Sequence, residues 1–498
     1  MIELCVALGV LTICLFFKWS CSYWRRVGNI DGPQPLPLFG NSFEQVIGRK
    51  HFGEIYEEVY RTYPNASWVG VYELLNKPAI VVRDLELVKE ILVSNLRHFH
   101  KNLFVVDEKI DPLLAMNPFT QTGEQWKKSR SQVAPIFSTP KVRAAFPLIK
   151  NVAENLSEYV KNTRETNPDF EAKQMCAMYT IDVVACCAFG INAESFTNPD
   201  AEFRRMCIKV LNPSWIRSLL TIFAPTIAHF FKIAFVPKSV DQWFRDVIKE
   251  VIRQREDGEV KRHDLFQAMY DSLSKNGTVA VDSNEIVGHS VTFLTEGFET
   301  SSIMMSFFLY ELASNRHIQD RVLNEIDRIL EESDGHITDE AVQKLHYTER
   351  AMYETLRMHS AVFTLSKICS KEYELPAQYA TDSKRVSIKP GMTAIIPVHA
   401  IHYDPEIYPE PYRFDPDRFL EENKLSRHHY AFLGFGEGPR ICLGMKFALS
   451  QVKIGIVTLL AKYRVELSDK QQLPLEFERT SFMLTPKSGI WIKFVERS

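Results

Sequence analysis

The 498-residue chain carries almost no charge excess: 59 Lys and Arg stand against 62 Asp and Glu, a formal net charge of −3. That balance gives no electrostatic reason to propose nucleic-acid binding. Cysteine is scattered, with Cys5, Cys14, Cys21, Cys176, Cys186, Cys187, Cys207, Cys369 and Cys442 forming no CxxC or other metal-type pair. A reducing compartment is therefore expected. Three Asn-x-Ser/Thr matches (Asn65, Asn155, Asn276) would go unused on a cytosolic face. No interior linker and no dinucleotide-binding fingerprint break the chain, so one large domain is expected, with any nicotinamide or flavin chemistry supplied by another protein.

What the sequence has begins with an apolar run. Ile2 to Phe17 is apolar apart from Glu3 and Thr12, and Lys18, Trp19, Tyr23, Trp24, Arg25 and Arg26 follow. A cleaved signal peptide shows the reverse order of charge and small residues. Cations on the C-terminal flank predict a cytosolic body and a lumenal N-terminus, with the Trp/Tyr cluster at headgroup level. The run is short for a span but suits a thin bilayer, and a helix lying in the interface is the alternative. Alternating prolines at Pro33, Pro35 and Pro37 then predict an extended spacer at a domain boundary. Residues 211–237 are unusually apolar, but Arg217, His229 and Lys232 interrupt them, which predicts an apolar lip on the bilayer and not a second span. Residues 254–284 are charged and polar and predict a solvated connector.

The stretch Phe435-Gly436-Glu437-Gly438-Pro439-Arg440-Ile441-Cys442-Leu443-Gly444 reads as a glycine-rich loop running into an apolar helix. Gly436 and Gly438 permit positive φ and close approach to a flat partner. Cys442 then lies at a helix N-terminus, where free N–H groups and the helix dipole favour a thiolate that could hold a metal. The spacing Phe-x-x-Gly-x-Arg-x-Cys-x-Gly resembles the haem-binding signature of cytochrome P450 enzymes, a family with cysteine-thiolate haem ligation. The resemblance implies that Cys442 is the axial iron ligand and that Phe435 packs near the sulfur, with Gly436 in the loop and Arg440 on a haem propionate. Gly434 departs from the family, which usually has proline there.

Other stretches fall in the family's order. Trp126 and Arg130, four apart on one helical face, resemble the helix whose Trp and Arg bind a propionate. Lys127 and Lys128 lie on another face that would suit an acidic redox partner. Residues 284–315 read as a long helix containing Glu296-Gly297-Phe298-Glu299-Thr300. This is similar to the oxygen-activation motif, whose acid and alcohol, here Glu299 and Thr300, relay protons so that the O–O bond breaks heterolytically. Glu296 replaces the usual small residue there. Glu354 and Arg357 resemble the family's ExxR pair, with Arg418 as the third member of its network. Lys367 stands where a propionate-binding arginine is common, and Ser360-Ala361 replaces the usual Pro-Pro.

The resemblance, closest to insect microsomal members, implies a mainly α fold with a minor β region: an anchor at 1–24, a basic and proline-rich hinge at 25–41 and a haem-thiolate domain at 42–498. It implies a monooxygenase containing haem b that inserts one oxygen atom of dioxygen into a lipophilic small molecule (xenobiotic, hormone or fatty-acid-like). Electrons would come from NADPH through a separate cytochrome P450 reductase, with cytochrome b5 as a second donor, at the endoplasmic reticulum membrane. The rivals are a haem-thiolate isomerase or lyase acting on peroxides and a catalytically silent haem-binding protein.

Overall fold

A computed structural model describes residues 15–198, 200–211, 214–257, 264–274, 284–382 and 385–497, together with Leu8, Leu11 and Thr12. Its principal helices are α1 (Phe52–Thr62), α2 (Gly123–Val133), α3 (Phe146–Arg164), α4 (Ala172–Val184), α5 (Asn284–Ser314), α6 (His346–Met358) and α7 (Met445–Leu460). The longest, α5, runs through the middle of the molecule and packs on α4, α6 and α7. It is apolar nearly all round, the pattern of a buried helix. Its hydroxyl residues stay satisfied by donating to the carbonyl one turn back, as Ser290 does to Ile286, Thr292 to Gly288 and Thr295 to Val291. Gly288 admits a close neighbour: a Cβ there would meet Met116 Cβ at 2.4 Å.

The β structure lies to one side. Strands β1 (Trp68–Tyr72), β2 (Pro78–Val82), β3 (Lys101–Asn102), β4 (Phe170–Glu171), β5 (Thr364–Ile368), β6 (Tyr373–Glu374), β7 (Ser387–Ile388), β8 (Thr393–Pro397), β9 (Tyr463–Leu467) and β10 (Trp491–Glu496) form three sheets. The largest has the order β1-β2-β8-β5-β3, with β2 and β8 parallel and the other pairs antiparallel. It carries its own buried cluster, built on Trp24, Trp68, Ile80, Phe99 and Ile396, beside the larger helical core.

The proline-rich segment is stitched to this sheet. Asn76 accepts from the Leu38 N–H at 2.7 Å and donates to the Leu36 carbonyl at 2.9 Å, and Asn41 accepts from the Tyr72 N–H at 2.8 Å. Upstream, Trp24 is buried, with its indole N–H on the Val71 carbonyl at 2.9 Å. Most of the apolar run at 2–17 lies outside the described residues, and no described helix is long and apolar enough to cross a membrane. Within it, Leu8, Leu11, Leu15 and Phe16 are exposed, as is Trp19 just beyond.

Residues 258–263 and 275–283 of the expected solvated connector lie outside the described residues, and the described stretch 264–274 differs from that expectation. Leu265–Ser274 is a helix that buries Leu265, Phe266 and Met269, and a buried Arg255–Asp264 pair at 2.7 Å braces its start. Three apolar residues on one face of a short helix suffice to dock it, although charge dominates the surrounding composition.

Candidate active site

The cysteine loop is set by its glycines. Gly436 and Gly438 have φ of +70° and +77°, and a Cβ on Gly438 would meet the Leu92 carbonyl oxygen at 2.4 Å. The loop closes on itself through the Cys442 N–H, which donates to the Phe435 carbonyl at 2.9 Å, while Phe435 packs against the helical core. Helix α7 starts two residues later than the apolar pattern suggested, with Gly444 as its N-cap. Cys442 keeps accessible surface although protein surrounds it, so its sulfur faces an interior space.

Burial pushes the Cys442 thiol up to about 11, and Glu296 adds to the rise. The N–H groups of Gly444 and Met445, together with Arg130, oppose it without overcoming it. With no metal on the sulfur, desolvation outweighs the N–H groups that the helix start supplies. A bound metal cation reverses that balance by its own charge.

Three cations lie together at the cysteine loop. Arg130 donates to the Ile441 carbonyl at 2.8 Å, and Arg440 donates to the carbonyls of Gln121 at 2.7 Å and Pro118 at 3.1 Å. The Arg440 guanidinium lies over the buried Trp126 ring, 4.4 Å from its centroid. Lys367 is buried and donates to Asn102 Oδ1 at 2.6 Å. Burial, with Arg440 and Arg130 beside it, pushes Lys367 down to about 7; burial, with Arg130, pushes Arg440 down to about 10. No carboxylate of the described residues ion-pairs with any of the three, and Arg440 Nε is buried with no partner. The chain has built a site short of negative charge.

Helix α5 lies across the same space. Thr300 donates to the Glu296 carbonyl at 2.8 Å, while Glu299 is drawn aside to Lys173 of α4, 2.8 Å away. Glu296 keeps accessible surface toward the interior and accepts from the Asn117 amide at 3.0 Å. Burial raises its carboxyl above the usual range, against the Asn117 hydrogen bond. From the cysteine side, Gln451 of α7 donates to the Gly297 carbonyl at 3.0 Å and to Ser301 Oγ at 2.7 Å, so α7 and α5 are tied together.

A cytochrome P450 family model matches residues 30–493. The chain belongs to the cytochrome P450 family. It is 34% identical to probable cytochrome P450 308a1 of Drosophila melanogaster, over 100% of this chain and 99% of that one. Cytochrome P450 6j1 of Blattella germanica is 31% identical over 98% and 96%, and cytochrome P450 6a2 of Drosophila melanogaster 33% identical over 100% and 99%. The protein is accordingly an NADPH-dependent monooxygenase of the haem-thiolate class, with haem b held by a cysteine thiolate. A small-molecule substrate, dioxygen and a redox partner come with that membership.

The pocket fits a P450 haem on charge. Three cations without an acidic partner match a group carrying two carboxylates, and a sulfur supplied with two N–H donors suits a metal. Behind the loop, Arg357 grips Glu354 in a fully buried fork with both contacts at 2.7 Å, and Arg418 lies 3.3 Å from the same carboxylate. His402 joins this network to the loop, placing Nδ1 on the Arg357 carbonyl and accepting from the Leu433 N–H, both at 2.9 Å. Lys127 and Lys128 stay exposed but pair with Glu124 at 2.7 Å and Glu285 at 2.8 Å. Asn102, Asn117 and Lys173 escaped the sequence reading, because two neutral amides and a lone lysine carry no pattern of their own.

Proposed function

We propose that Cys442 is the axial thiolate of the haem, that Arg130, Arg440 and Lys367 hold its propionates with Trp126 stacked behind Arg440, and that Phe435 and Gly436 shape the wall beside the sulfur. The observation carrying this reading is the Cys442 sulfur, turned into an interior space under α5 with N–H donors of Gly444 and Met445 behind it. The haem supplies dioxygen activation; the protein positions the substrate, excludes water and delivers protons. Glu299 and Thr300 form the acid–alcohol pair of that delivery, with Glu299 held by Lys173 at 2.8 Å.

The substrate is a lipophilic small molecule. A cavity of about 260 Å³ between residues 104–111 and 221–235 gives a largely apolar way in. Electrons come from a separate membrane-bound flavoprotein reductase, with cytochrome b5 as a second donor, docking on the face that carries Lys127 and Lys128. The chain divides into an anchor (1–24), a basic and proline-rich hinge (25–41) and the haem domain (42–498), held at the endoplasmic reticulum membrane with the haem domain in the cytosol. Exposed Ile216, Phe230 and Phe231 support an apolar lip on the bilayer.

The carbon monoxide difference spectrum of the reduced protein tests the core of this reading. A strongly red-shifted Soret band, lost in Cys442→Ser, is expected. A histidine-type or neutral-thiol spectrum in intact, haem-loaded wild type would overturn it.

A further inference from the structure

Helix α5 carries four acids, and three have a basic side chain as partner. Glu285 pairs with Lys128 at 2.8 Å, Glu299 with Lys173 at 2.8 Å and Glu311 with His359 at 2.6 Å. Glu296 has none among the described residues; its one hydrogen-bond partner is the neutral Asn117 amide, at 3.0 Å. A carboxylate accepts at about four lone-pair positions, so most of its capacity is unspent. The residue next to it on α5 is tied to α7, the helix that follows Cys442: Gln451 donates to the Gly297 carbonyl at 3.0 Å, which sets Glu296 beside the space between α5 and the cysteine loop. The other charged groups of that space, Arg130, Arg440 and Lys367, are the cations already assigned to propionates.

We infer that Glu296 is a specificity-determining residue that recognises ligands bearing a positively charged nitrogen, pairing its carboxylate with an ammonium centre in the space between α5 and the cysteine loop. Away from bulk water a charge pair is screened far less than at the surface, and a buried acid without a cation is the unstable half of such a pair. Burial raises the Glu296 carboxyl, and a cationic ligand is what returns it to the ionised form. Asn117, directly after Leu114–Met116, donates to Oε1 and leaves Oε2 open to the ligand. This inference rests on the haem-thiolate reading and narrows its substrate class from lipophilic molecules to lipophilic amines.

The test uses full-length holoprotein and two probes of equal shape: a phenylalkyl trimethylammonium and its uncharged tert-butyl isostere. Neither can coordinate iron through nitrogen, so affinity is read from the Soret shift on titration of the ferric protein. Wild type is expected to prefer the ammonium probe, with Glu296→Gln cutting the affinity ratio about tenfold or more and Glu296→Asp recovering part of it. Wild type and Glu296→Gln showing the same ratio, with the thiolate carbon monoxide band intact in both, would overturn the inference and leave the haem reading standing. Absence of that band from wild type would overturn both.

Discussion

Lys173 Nζ lies 2.8 Å from Glu299 Oε1 across the α4–α5 contact, with only 16% and 21% of the two side chains exposed. Removing the lysine strands a mostly buried carboxylate. Lys173→Met is expected to lower holoprotein stability by about 1–3 kcal/mol, seen as a reduced Tm. Glu299→Gln keeps the shape and removes the acid. It is expected to cut product formed per NADPH consumed about tenfold or more, with hydrogen peroxide making up the difference. Unchanged coupling would remove Glu299 from proton delivery.

Gly438 and Gly335 form a matched pair for separating strain from crowding. Their φ values are +77° and +78°, yet a Cβ at 438 strikes the Leu92 carbonyl while nothing lies within 4 Å at 335. Gly335→Ala is expected to cost about 1–2 kcal/mol from backbone strain alone. Gly438→Ala adds displacement of the loop and should lose haem as well, measured as the haem-to-protein absorbance ratio after purification.

The Lys367 ammonium, pushed down to about 7 by burial, Arg440 and Arg130, is neutral above that pH before an anionic group arrives. An anion at the site favours the charged form and raises the pKa, so binding takes up a proton at pH above about 7. Haem affinity is therefore level below that point and falls as pH climbs from it toward the raised value. Haem titrations of the haem-free protein across neutrality check this, and Lys367→Met is expected to flatten the profile.

Phe230 and Phe231 are 79% and 66% exposed, side by side at the end of a short helix. If this lip rests on the bilayer, the double change Phe230→Asp, Phe231→Asp forfeits about 1.5–3 kcal/mol per ring of apolar burial. Sedimentation with phospholipid vesicles is expected to show at least tenfold weaker partitioning once the first 24 residues are removed. Equal partitioning would place the membrane contact elsewhere.

Much of this architecture was legible because periodicity and glycine placement act locally. The 284–315 helix and the positive-φ glycines at 436 and 438 follow from side-chain spacing and backbone sterics. Long-range partners were not legible. Glu296 was visible as an oddity, but its meeting with Asn117, 179 residues away, depends on how the segment after Leu114–Met116 packs on α5. The rise of the Cys442 thiol was missed for the same reason, since desolvation is a property of the assembled interior and not of the helix start. The helix at Leu265–Ser274 was hidden by composition: its buried face is three residues wide and charge surrounds it.

That a Cβ on Gly288 would strike Met116 Cβ at 2.4 Å has a consequence for the shape of the chamber. Met116 immediately precedes Asn117, so the ceiling above Glu296 hangs at a height set by one missing methyl group. An alanine at 288 would act as a shim, lifting the roof, stretching the Asn117–Glu296 contact and giving taller molecules headroom. A single carbon on α5 would thus retune what fits, with every chemical group in the chamber left as it is.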